Sequence, residues 1–397
     1  MTNRLEKTLT GQMMNTPLTI TSLMTFAEQV YPDGEIISEK GQGDQHRYTY
    51  ADAFRRVRQL ANVLQSLGIK PGDRVATLAW NDYRHLELYY AISCSGAVCH
   101  TINPRLYPEQ IAYIINHAED KLLFTDPEFL PLLETITSAD TDHQLDCVQQ
   151  IIVLTDDSQF PESSLHNLQN YETLIRRQSE LYDWPTLDEQ TASALCYTSG
   201  TTGHPKGVLY SHRSTLLHAY ASALPDMFNF SARDVLMPVV PMFHVNAWGI
   251  PYSAIMVGAK LVLPGDKMGD SAALTRFINE EGVTMTGGVP TVWLALLRYL
   301  KETNQTVPSL QRIVVGGAAC PMTIIDEFND QHGVNVMPAW GMTETSPLCT
   351  LNSVKPGMSS LPKNQLDTIR VKQGRPVFGV DIKIVDEEDV SQAWDGE

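Results

Sequence analysis

The sequence predicts an α/β protein of two lobes, each a mainly parallel sheet with flanking helices, followed by the start of a small β-subdomain. Three observations carry this. Short apolar runs alternate with amphipathic stretches, the 397 residues suffice for two or three sizeable cores, and the tail changes to period-two alternation. Strand–helix–strand repetition needs crossover connections, and those cover both faces of a parallel sheet.

Tyr50 to Leu67 carries apolar residues at helical spacing, with Gly68 as the stop and Pro71-Gly72 as the following turn. Arg74–Trp80 then reads as a strand, His85–Ser95 as a helix, Ala97–Ile102 as a strand and Pro108–His117 as a helix. Lys121–Thr125 and Ile151–Leu154 are short strand runs of buried character. Asp156, Asp157, Ser158, Pro161 and Ser163 mark a polar link from Thr155 to Pro185, expected to be the least structured stretch. After Ala192 the alternation resumes through Leu261–Leu263, Ala272–Glu280, Val283–Met285, Pro290–Leu300, Arg312–Val315 and Met322–Asn329. The expected division is a first lobe over residues 1–185, a second over 186–370, and a β-subdomain beginning at 371–397. In that last piece Gly374-Arg375-Pro376 turns into a strand from Val377 to Val385.

Composition excludes several classes. Hydrophobic residues at 43% and charged residues at 19% are an ordinary globular balance. Twenty-nine basic against 46 acidic residues leave a net charge of −17, without the basic footprint that nucleic acid requires. Cys94, Cys99, Cys147, Cys196, Cys320 and Cys349 lack the short spacings of a zinc ribbon or redox dithiol, and read as small buried hydrophobes in a reducing compartment. Met1–Ile20 has no apolar core for a signal peptide. Ala247–Pro264 is interrupted by Pro251, Tyr252 and Lys260 and falls short of an integral membrane segment. A cytoplasmic enzyme is expected.

The chemistry is announced by Tyr197–Val208, where a buried-strand pattern runs into Thr198, Ser199, Gly200, Thr201, Thr202, Gly203, His204, Pro205, Lys206 and Gly207. The glycines let backbone amides approach an anion, hydroxyls add donors, and Lys206 adds a mobile positive charge. A triphosphate tail requires these groups. A Walker A loop would place Ser or Thr directly after Gly-Lys, whereas Lys206 is followed by Gly207, so the kinase and ATPase loop is excluded.

Tyr-Thr-Ser-Gly-Thr-Thr-Gly-His-Pro-Lys-Gly-Val resembles the phosphate-loop signature of the ANL superfamily of adenylate-forming enzymes. The resemblance extends to Val315-Gly316-Gly317-Ala318-Ala319, which in that family forms one wall of the adenine pocket, and to Ala339-Trp340-Gly341-Met342-Thr343-Glu344. It implies that Trp340 stacks on adenine, Thr343 contacts the α-phosphate, and Glu344 holds Mg²⁺ with help from Thr198. Without the motif, Glu344 would read as a solvated carboxylate at a helix start.

Substrate class rests on Pro241–Gly249. Adenylation domains for amino acids place an aspartate where this chain has His244, and an uncompensated buried ammonium is costly. An amino acid is therefore disfavoured. His244 and Val245 match positions beside the acid site in acyl- and aryl-CoA synthetases, and Trp248 matches a tryptophan proposed to gate the acyl tunnel. Ordinary core aromatics remain the alternative there. Gly287, Gly288 and Pro290 match the family's acyl-pocket lining, where small residues leave room for a chain.

Ala79-Trp80-Asn81, His100–Leu106, Asn116–Lys121 and the opening Leu9–Met14 are similar to medium-chain fatty-acid CoA ligases and to 3-methylmercaptopropionate-CoA ligases. The implied substrates are ATP, a small carboxylic acid and coenzyme A, with Mg²⁺ as cofactor and no nucleic-acid partner. Relatives commonly dimerise, so a homodimer is expected. The family's ribose-binding aspartate motif and C-terminal lysine domain lie beyond Glu397, which implies weak ATP binding and slow adenylation by these residues alone. Loading of a carrier protein in place of CoA stays open, as does a catalytically silent ATP- or acyl-binding protein.

Overall fold

The computed structural model describes residues 11–41, 44–138, 144–198 and 204–393, and among these the strands form two sheets. The seven-stranded sheet runs Leu168–Asn170, Gln150–Val153, Leu122–Thr125, Arg74–Leu78, Val98–Thr101, Ala192–Thr198, Lys206–Ser211, parallel except for the last pair. The nine-stranded sheet runs Arg375–Pro376, Leu348–Leu351, Asn335–Gly341, Arg312–Val315, Met285–Gly288, Val235–Pro238, Lys260–Leu263, Glu35–Gly41, Asp44–Thr49. Its six middle strands are parallel and its edges antiparallel. Central strands such as Val98–Thr101 and Leu122–Thr125 are buried along their whole length, as sheets covered on both faces demand.

The helices follow their local signals. Tyr50–Ser66 starts on a capping box between Thr49 and Asp52 and buries Phe54, Val57, Leu60 and Leu64. Tyr83–Cys94, capped by Asp82, is buried on every side because it lies between the sheets. Its Tyr89 hydroxyl donates to the Met242 carbonyl and its Tyr90 hydroxyl to Pro251 O at 3.1 Å, so it ties the two sheets together.

Three expectations change. The sheets do not divide at residues 185/186, since Glu35–Gly41 and Asp44–Thr49 join the nine-stranded sheet while Ala192–Thr198 and Lys206–Ser211 complete the other. The link from Thr155 to Pro185 holds the strand Leu168–Asn170 and the helix Tyr171–Arg176, with Tyr171 only 1% exposed. Its polarity serves a buried ion cluster: Glu172 accepts from Arg56 Nη2 at 3.0 Å, Arg84 Nε at 2.9 Å and the Tyr83 hydroxyl at 3.2 Å. Among the described residues of the tail only Arg375–Pro376 pairs as a strand, on Leu348–Leu351, and an isolated bridge joins Val385 to Ser391. The alternation after Val377 finds no neighbouring strand to cover it, and Phe378 is 95% exposed.

Candidate active site

Four parallel strands, Val235–Pro238, Met285–Gly288, Arg312–Val315 and Asn335–Gly341, end side by side, and segments beyond them enclose a cavity of about 270 Å³. Loops from several strands converge at such carboxyl ends, which is where open α/β sheets bind ligands. His244, Val245 and Trp248 form one wall, Gly316 and Gly317 a second, and Ala339, Trp340, Gly341, Met342 and Thr343 a third. Phe228, Pro347 and Leu348 complete the enclosure.

The first wall is held by a buried asparagine. Asn81 donates to Pro238 O at 3.0 Å and Val240 O at 2.9 Å, and accepts from Met242 N at 2.6 Å. The chain then turns left-handed, with φ of 49°, 51°, 49° and 55° at Val245, Asn246, Ala247 and Trp248. Such a run costs about 1–2 kcal/mol per L-residue and persists only where its surroundings enforce it. Here Asn246 Oδ1 accepts from the Cys196 thiol at 3.6 Å and lies 3.4 Å from the Tyr89 hydroxyl. The indole of Trp248 packs on glycine backbone, since a Cβ on Gly316 would meet it at 3.0 Å and one on Gly287 at 3.4 Å. His244 is exposed as a residue, but atoms packed about its imidazole lower the ring's pKa by desolvation, which favours the neutral form.

The third wall turns sharply after Trp340. A Cβ on Gly341 would lie 2.0 Å from Pro347 O, so only glycine fits. Met342 N donates to Pro347 O at 3.0 Å and the Thr345 hydroxyl to the same oxygen at 2.6 Å. From the other sheet, the buried Tyr210 hydroxyl donates to Thr343 O at 2.6 Å. Trp340 keeps 42% of its surface exposed at the cavity, a free aromatic face.

Thr198 and Lys206 pair directly across the antiparallel hairpin of Ala192–Thr198 and Lys206–Ser211, and the Thr198 hydroxyl donates to Lys206 O at 3.5 Å. Ser199, Gly200, Thr201, Thr202 and Gly203 lie outside the described residues. Thr198, Lys206, Ala318 and Glu344 are not in the cavity wall, although the Thr343–Thr345 turn presents Glu344 exposed beside it. Nor are Gly287, Gly288 and Pro290. The space beside the two glycines is taken by indoles, Trp248 at Gly287 and Trp293 at Gly288, and Pro290 is buried as the first residue of the helix Pro290–Thr303. Among the described residues no cluster of three or more His, Cys, Asp or Glu forms a metal cage. Glu344 and Thr198 are hard-oxygen donors, which fits Mg²⁺ completing its shell with phosphate oxygens and water.

Reasoning from sequence missed Asn81 as a support, Tyr210 and Phe228. The partners of Asn81 and Tyr210 lie 133 to 161 residues away, and no local pattern announces them.

A cavity at strand ends with a free indole face and close-approach glycines, next to a hairpin bearing Lys206, has the make-up of a nucleotide site. A family model of AMP-binding enzymes matches residues 26–397, and the chain belongs to that family. It is 48% identical over 386 residues to a medium-chain-fatty-acid–CoA ligase of Ectopseudomonas oleovorans, covering 97% of this chain and 70% of the relative. It is 47% identical to a 3-methylmercaptopropionyl-CoA ligase of Ruegeria lacuscaerulensis, with the same coverage of each. An anthranilate CoA ligase solved with anthranoyl-AMP superposes with a TM-score of 0.83 at 22% identity, covering 94% of this chain and 67% of that one, and shares the fold. Among the described residues no helix is long and apolar enough to cross a membrane.

Proposed function

We propose that this protein activates a medium-chain fatty acid with ATP to the acyl-adenylate and transfers the acyl group to coenzyme A, releasing pyrophosphate and AMP. The observation that carries the reading is the single cavity joining the acid-site pair His244 and Trp248 to the adenine-site residues Gly316, Gly317 and Trp340–Thr343. In the first step a carboxylate oxygen forms a bond to the α-phosphorus as the bond to the β-phosphate oxygen breaks. This chemistry asks mainly for positioning and charge neutralisation. Trp340 offers its face to adenine, Thr343 its hydroxyl to the α-phosphate, and Lys206 a positive charge to the triphosphate. Glu344 and Thr198 would hold Mg²⁺, which neutralises phosphate charge when bound. The neutral His244 ring offers a hydrogen bond beside the acid without a fixed charge. In the second step the CoA thiolate attacks the acyl carbonyl and AMP leaves.

The 47% identity to a 3-methylmercaptopropionyl-CoA ligase favours a second reading, a short thioether acid on the same machinery. Cytoplasmic placement and a homodimer belong to the same proposal, and light scattering checks the dimer. The substrate is tested by titrating the chain with non-hydrolysable acyl-adenylate analogues of graded length, alongside acid-dependent pyrophosphate release with and without CoA. Affinity peaking at medium chains supports the first reading, and a maximum at the thioether acyl group supports the second. Affinity no better than that of AMP for every acyl group overturns both. Pyrophosphate release without a CoA ester assigns a carrier protein as acceptor.

A further inference from the structure

The residues on either side of the loop assigned to the triphosphate, Tyr197 and His204, both rest on one helix, Pro108–Ala118. On that helix Tyr113 and His117 stand four residues apart, the spacing that puts side chains on one face. The His204 ring stacks on Tyr113 with centroids 4.6 Å apart and an interplanar angle of 24°. Tyr113 stacks in turn on His117 at 5.3 Å and 26°. His117 Nδ1 hydrogen-bonds the Tyr197 hydroxyl at 2.6 Å, and the two rings meet edge to face at 5.9 Å. The rings therefore run His204–Tyr113–His117–Tyr197 without a break.

The platform beneath them is fixed. His100 Nδ1 meets Asp120 Oδ2 at 2.7 Å, with both side chains fully buried, and the His100 ring lies 5.1 Å from Tyr197. Arg74 donates through Nε to the Ala118 carbonyl that ends the helix. Gly207 lets the returning strand cross close over the Tyr197 ring, where a Cβ would come within 3.3 Å of its Cζ.

We infer that Tyr113 and His117 are positioning residues that hold Tyr197 and His204, and through them the adjoining Thr198 and Lys206, so that Lys206 is presented to the triphosphate in one geometry. A cation held in place beforehand loses less freedom when its ligand binds, so the clamp raises affinity without itself touching the ligand. The clamp acts through Lys206 on the triphosphate tail, whereas adenine and the α-phosphate fall to the cavity at Gly316–Gly317 and Trp340–Thr343. The inference rests on the nucleotide reading of the site.

Its signature is a split between ATP and AMP. Calorimetric titration of the 397-residue chain with each nucleotide, in wild type, Tyr113→Ala, His204→Ala and Tyr113→Phe, reads it directly. An aromatic stack of this kind accounts for about a five- to tenfold effect. Tyr113→Ala and His204→Ala are expected to weaken ATP by that factor while AMP affinity stays within about twofold. Tyr113→Phe, which keeps the stacked ring, is expected to bind ATP like wild type. His204 is exposed, so its replacement tests the clamp even if Tyr113→Ala lowers the melting temperature. Unchanged ATP affinity in both alanine variants overturns the clamp, as does equal loss of ATP and AMP, or a Tyr113→Phe variant as weak as Tyr113→Ala. A wild-type chain that binds neither nucleotide overturns the nucleotide reading itself, and the clamp with it.

Discussion

Trp340 is the side chain whose exposure and position disagree most with a purely structural role. At 42% exposed in the cavity wall it contributes little to the core, and a large aromatic left in contact with water offers a face to a planar ligand. Trp340→Ala should therefore leave the melting temperature nearly unchanged and weaken AMP by about tenfold, the order of one base–aromatic stack. A melting-temperature loss without a change in AMP affinity, read by calorimetry beside thermal denaturation, would contradict the role. Residues of this kind were legible in the sequence because the Trp340–Glu344 motif packs its chemistry into consecutive positions. Gly341 is legible in the same way, as the one residue that tolerates Pro347 O at 2.0 Å from a would-be Cβ. Gly287 and Gly288 show the limit of such reading. A glycine implies space, but the sequence does not say what fills it, and Trp248 and Trp293 do.

At the scale of elements, helices and central strands were legible from periodicity, but the way they are joined was not. The hairpin that carries the phosphate loop is an example. Ala192–Thr198 looked like an ordinary buried strand, and its antiparallel return through Lys206–Ser211 left no separate periodic signal. The Pro238–Met242 segment is similar, because its shape depends on Asn81, which is 0% exposed and lies more than 150 residues earlier. Removing that amide leaves two carbonyls and one amide of the segment without partners in a dry environment. Asn81→Ala is expected to cost about 2–3 kcal/mol of stability. It should also displace His244 and Trp248, lowering acyl-adenylate affinity more than AMP affinity. Chemical denaturation and the two titrations check this, and equal loss of both ligands would show that the segment does not act on the acid side in particular.

For the whole molecule, exchange of strands between the halves explains why a division at 185/186 looked natural in the sequence and is not how the sheets are built. The polar stretch after Thr155 ends one run of alternation, yet each sheet is completed by strands from the far side of it. The same interlocking buries titratable groups between the layers. Burial holds His46, His85, His212 and His218 neutral, with pKa values lowered to about 4 from 6.5, and at His46 the nearby Arg56, Lys40 and Arg84 add to the effect. Between pH 6.5 and about 4 the unfolded chain takes up protons at these four rings that the folded chain refuses, so stability is lost as pH falls through that window. Asp82, raised to about 6, and its neighbour Asp126, also raised by burial, act with the opposite sign, because there the folded state binds the proton. His244 and His332, lowered by desolvation, act with the four histidines, and Asp120 and Glu128, raised by burial, act with the two carboxyls. The histidines outnumber the carboxyls, and the net sign is expected to follow them. Acidification also relaxes the −17 net charge, a stabilising effect that roughly 0.5 M salt suppresses. In such salt the melting temperature should fall steadily from pH 7 to pH 5, and a value that stays flat or rises would show that the buried carboxyls, not the histidines, set the acid response.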